Sequence, residues 1–156
     1  MAVTSSQVAA LRAWLTARTE DEIMDAERGF LTLSRTHHLD ATGTLVYGAF
    51  AAAARRRFFP TWTSADIVRF VAGFRGSSAE AAELLSASAA ENQLREVLGE
   101  EQGIVPSEED RARAQFLLLA ALTVTLGPQE LDQVLAEGRA LADSLPQSHG
   151  SCDAGN

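Results

Sequence analysis

The chain of 156 residues contains no lysine; all thirteen of its basic side chains are arginine. An all-arginine complement usually accompanies a GC-rich genome, so a bacterial source is the expectation. Cys152 is the only cysteine. One thiol cannot close an intramolecular disulfide or build a multi-cysteine metal site. The longest strongly apolar run, Phe116 to Leu126, covers eleven residues. A bilayer crossing needs about 20, so no membrane partner is expected. The opening residues lack a basic stretch followed by an apolar core, so no signal peptide is expected and the expected location is cytoplasmic.

Several chemistries are missing as well. There is no Gly-x-Ser-x-Gly elbow, no glycine-rich phosphate loop, no His-Glu-x-x-His and no calcium-binding loop. Glu-x-x-His, the signature of carboxylate-bridged di-iron bundles, is also missing. The expectation is a protein without a cofactor, and a non-enzyme ahead of an enzyme. No segment of useful length alternates apolar and polar residues as a half-buried strand would.

What is present is helical. Hydrophobic residues make up 46% of the chain, and the spacing is three and four almost throughout. Thr4 with Gln7 forms a capping box before Val8, Leu11 and Leu15. Thr19 with Glu22 opens a second helix whose apolar positions are Ile23, Ala26, Phe30 and Leu33. Asp40 is expected to cap a third helix, rich in small residues from Gly43 to Ala54, which Pro60 stops. Thr63 with Asp66 starts a fourth, with Ile67, Phe70, Val71 and Phe74 as its buried stripe and Gly76 beyond its end. Ser77 with Glu80 starts a fifth reaching Leu98, with a break near Ala87 as an alternative. Ser107 to Asp110 open a sixth with an acidic first turn. Its second half is apolar all round, which predicts the central core helix. Gly127-Pro128 leads into a seventh. The predicted fold is all-α: one compact bundle of about seven helices over residues 1–145, with a disordered tail over 146–156.

Charge is unevenly spread. The net charge is −8, yet residues 55–75 hold five arginines against one acid. That block reads Arg55-Arg56-Arg57-Phe58-Phe59-Pro60-Thr61-Trp62, continues through Arg69 and ends at Arg75. Arginines at a helix end complement the dipole, while Phe58, Phe59, Trp62, Ile67, Phe70, Val71 and Phe74 look like packing residues. Arginine and tryptophan are also interface residues. Arg55, Arg56, Arg57, Trp62 and Arg69 are therefore the candidate interaction surface, with a protein partner or a second copy of the chain as its target. Two helices around a turn loosely match helix-turn-helix spacing. The acidic remainder and Asp66 oppose nucleic-acid phosphate.

Other candidates are thinner. His37 and His38 beside Asp40 are the one imidazole–carboxylate cluster, and neighbours on a helix point about 100° apart. The pairs Glu22/Asp25 and Glu80/Glu83 sit in first turns, where dipole and capping explain them. No metal ligand is assigned. The small-residue third helix beside Tyr47 and Phe50 marks either tight packing or a ligand pocket.

In helix number, size and acidic balance the chain resembles the ligand-binding halves of bacterial helical regulators, which dimerise through their last helices. The resemblance implies a small-ligand sensor. It is one of architecture, without a motif, and no basic helix-turn-helix precedes it. The leading expectation is a non-catalytic, self-associating interaction or regulatory module. The sensor is the alternative, and a metal-dependent hydrolase comes last.

Overall fold

The chain enters its first helix through reciprocal capping. Thr4 accepts from the Gln7 amide, and the Gln7 side chain accepts from the Thr4 amide, which opens α1 (Ser5–Thr16). The computed structural model describes residues 2–36, 39–100 and 105–146, with the side chains of 33–40 left aside. Within them follow α2 (Glu20–Thr36), α3 (Leu39–Phe58), α4 (Ser64–Arg75), α5 (Ala79–Leu84), α6 (Ala87–Val97), α7 (Glu108–Thr123) and α8 (Pro128–Ser144). There is no strand among the described residues. His37, His38 and Cys152 lie outside them, as does the tail from residue 147.

Local chemistry sets most boundaries. The boxes Thr19/Glu22 and Thr63/Asp66 form as their spacing requires, and Ser107 caps α7. Each such cap contributes about 1 kcal/mol. Pro128 occupies the first turn of α8, where its missing N–H costs nothing. Gly99 closes α6 at φ +94°, a conformation that side-chain-bearing residues avoid. Gly76, by contrast, ends α4 in ordinary right-handed geometry.

Four expectations change. Ser78, not Ser77, caps the fifth helix, accepting from the Ala81 amide at 3.0 Å. The long fifth helix is two, α5 and α6, because Leu85 turns extended and Ser86 caps a new start at the Ala89 amide. Asp40 falls inside α3 and does not precede it. The apolar helix is a core helix, burying Leu118, Leu119 and Leu122, but it shares the centre with α3. Helix α3 packs against α8, α7, α6, α1 and α2, and its run Ala49 to Ala54 is wholly buried. One flank of α7 is only half-buried at Phe116 and Leu117.

Small residues make α3 central. A Cβ built on Gly48 would stand 2.2 Å from the carbonyl oxygen of Gly138, and one on Gly138 would stand 2.5 Å from Cα of Ala49. The backbones of α3 and α8 thus touch with no side chain between them. In the core as a whole Phe50, Leu45, Ile67, Leu94 and Leu118 are fully buried. Trp14 stacks against Phe116 at 4.0 Å between ring centroids, with Phe30 edge-on to the same ring at 5.7 Å. Helix α1 is tied to α8 by Arg12–Asp132 at 2.6 Å and by the Val3 amide donating to Asp143 at 2.9 Å.

Candidate functional site: an arginine-rimmed cleft

The last turn of α3 leaves the core. Ala54 is fully buried, Arg55 half-buried, and Arg56 and Arg57 exposed. The turn through Phe59 and Pro60 then brings α4 alongside, and Thr63 and Asp66 fix where α4 begins. Between these elements lies a cleft of about 420 Å³ lined by Arg57, Phe58, Thr61, Asp66, Arg69 and Phe70. Its floor is aromatic: Phe58 and Phe70 meet edge to face, 5.8 Å apart at 82°. Its rim is charged, two arginines against one aspartate.

The charges have different freedom. Asp66 accepts from the Thr63 amide at 2.8 Å. That bond, with help from the Thr63 hydroxyl and the positive charges of Arg69 and Arg57, holds its carboxyl below the usual range. Asp66 is thus a committed cap and anionic. Arg69 reaches it at 3.8 Å with its side chain 79% exposed. Arg57 has no hydrogen bond or ion pair among the described residues. Its guanidinium stands 5.7 Å over the neighbouring Phe58 ring, a contact worth roughly 0.5–1 kcal/mol at an exposed site. The cleft therefore carries one net positive charge on an apolar base.

The five residues read as an interaction surface divide by position. Arg57 and Arg69 line the cleft. Arg55 turns inward and donates from Nε to the Val97 carbonyl at 3.1 Å, closing the end of α6. Arg56 donates to Gln133 Oε1 at 2.9 Å and ties α3 to α8. Trp62 packs half-buried against the core. Phe59, expected to pack, is 46% exposed. It is the first residue past the helix and has no helical face to tuck beneath.

Tyr47 and Phe50 do not share a cavity with the arginines. Phe50 is fully buried in the core. Tyr47 is half-buried beside a polar seam between α6 and α7. Burial first, then the negative charge of Glu96, pushes its hydroxyl pKa up, against Arg55 and Arg111. Within the seam, buried Gln93 accepts from Gln115 Nε2 at 2.8 Å and donates to Glu96 at 3.0 Å, while Arg111 pairs with Glu96 at 3.6 Å. No buried side-chain nitrogen or oxygen lacks a partner among the described residues.

The early carboxylates are accounted for. Glu22 accepts from the Arg18 and Thr19 amides, which lower its pKa, and Asp25 pairs with Arg28 at 3.7 Å. Both edge a groove of about 440 Å³ between α1 and α2, floored by alanines and Gly29. Among the described residues no group of three His, Cys, Asp or Glu side chains could hold a metal. Nor is any described helix long and apolar enough to cross a membrane.

Sequence reasoning found Arg57 and Arg69 but missed Thr61 and the aromatic floor as lining. The available signal was Phe58 and Phe70 on facing ends of two helices joined by a short turn. Comparison with family models, curated proteins and solved structures gives no match to this chain.

Proposed function

We propose that the chain is a helical protein–protein interaction module, and that the arginine-rimmed cleft is where it holds an acidic segment of its partner. The supporting observation is the combination at one place of two exposed arginines, an aromatic floor and the exposed Phe59 on a molecule of net charge −8. Arginine and aromatic side chains carry much of the energy of protein interfaces. A cationic cleft selects an acidic partner segment by charge.

A pair of labelled designed helical peptides tests this. One carries glutamates interleaved with leucines, the other lysines in the same places. The acidic peptide binds, and binding weakens as salt rises from about 0.1 M, where charges are screened beyond ~10 Å, to about 1 M, where the distance is ~3 Å. Arg57→Glu with Arg69→Glu abolishes it. Equal binding of both peptides, or of neither, overturns the proposal.

A further inference from the structure

We infer that the acidic segment belongs to a second copy of this chain and is an exposed flank of α2. This rests on the cleft being a docking surface and names its occupant. Helix α2 packs against α1 and α3, with Ala26 buried and Phe30 turned toward Phe116. The flank that begins about 20° round from Phe30 is uncovered. At 100° per residue, Ile23, Glu27, Glu20, Leu31 and Met24 follow one another around an arc of about 100°. Ile23, Met24 and Leu31 are 40%, 52% and 56% exposed. Glu20 and Glu27, also exposed, have no ion pair among the described residues. Acids interleaved with large apolar side chains on one face complement a cationic cleft with an aromatic floor.

Other acidic stretches of the chain fit less well. In the first turn of α7, Glu109 lies 2.6 Å and Asp110 3.8 Å from Arg113, and Asp110 also accepts from Ser107. Two of its three acids are taken, and the exposed apolar side chain nearby, Val105, precedes the helix and is not on its face. Glu80 and Glu83 stand on α5, six residues long and too short to lay a face into a cleft. Helix α2 has seventeen residues, and its carboxylates at Glu20 and Glu27 stand two turns apart.

Donor and acceptor are different surfaces. Two copies dock mutually about a two-fold axis, or the chain propagates head to tail through a heterologous contact. Charge reversal separates these contacts from chance. Light scattering and sedimentation of the full chain give concentration-dependent assembly for the wild type. Glu20→Arg/Glu27→Arg and Arg57→Glu/Arg69→Glu each weaken it by more than about a hundredfold, as like charges brought together require. Mixing these two variants restores a two-chain complex, and combining all four substitutions restores self-assembly. All four side chains are exposed, and unchanged thermal melts show that folding is intact. A wild type that stays monomeric at every concentration, an α2 variant that assembles normally, or a four-fold variant that does not recover each overturns the inference. If the designed acidic peptide still binds Arg57 and Arg69 in that case, the cleft stands and its occupant is another protein. If the peptide fails too, both readings fall.

Discussion

The two ends of α3 are built on opposite terms. From Ala41 to Ala54 ten of the fourteen residues are Gly, Ala or Thr, and its neighbours come so close that backbone meets backbone at Gly48 and Gly138. From Arg55 onward every side chain is large, three are cationic, and the neighbours stand back to leave a cleft. Small residues give the helix its place, and large ones give it a surface. Close packing and exposed charge are thereby separated along one element.

The sharpest way to break that separation is to fill the crossing. Gly138→Val drives side-chain carbon into the backbone of Ala49, 2.5 Å from where the Cβ would stand. Overpacking of this kind costs about 3 kcal/mol or more, so calorimetry should record a fall in Tm of roughly 6–12 °C. The expected loss extends to the cleft, because α8 also holds Arg56 through Gln133.

The polar seam comes next. Gln93→Leu leaves Gln115 Nε2 without its acceptor in a buried position. A stranded buried donor costs about 1–3 kcal/mol, readable as a shifted urea midpoint at constant slope. Replacing Gln93 and Gln115 together by leucine should cost less than Gln93→Leu alone, since both partners leave at once.

A smaller effect belongs to the cap that borders the cleft. Thr63→Ala removes the acceptor for the Asp66 amide and should cost about 1 kcal/mol. The same corner responds to acid. Asp66 and Glu22 both have lowered folded pKa values, so their contribution is complete above their ordinary values of about 3.9 and 4.3. It is lost as pH falls through the folded values. Melts taken from neutral pH down to about pH 2 should show this decline, and Asp66→Asn should flatten part of it.

The smallest effect on stability sharpens the comparison most. Arg57→Ala with Arg69→Ala should leave Tm within about 1–2 °C, because exposed charges contribute within roughly 0.5 kcal/mol. Peptide binding by the same protein should disappear. A large loss of stability here would mean that the α3 end is structural after all.

Caps were the most readable part of the sequence because a cap is chemistry between residues three apart. Thr4/Gln7, Thr19/Glu22, Thr63/Asp66 and Ser107 all act as their spacing implies. The split between α5 and α6 was harder: a break near Ala87 is one of two readings of the sequence, and the cap that makes it is Ser86, which has no Glu or Gln three residues on to mark it. The central role of α3 was hidden because alanine and glycine carry little hydrophobic signal. Their value lies in how near a neighbour comes, which spacing along one helix does not encode. Ile23 fits the apolar period of α2 and yet faces out, because periodicity tells which residues share a face but not whether anything covers it. The cleft was half-readable: its arginines stand out in an acidic chain, but its aromatic floor depends on the angle between α3 and α4.

Arg75 has a consequence for motion. It donates from Nε to the Leu85 carbonyl at 2.9 Å and from Nη2 to that of Ala82 at 3.3 Å, closing the far end of α5. A helix of six residues does not persist in water by itself. The last residue of α4 therefore holds α5 shut, and the two helices form one cooperative opening unit. Backbone amides of α5 are expected to exchange with deuterium when the end of α4 lets go, which hydrogen-exchange mass spectrometry would read.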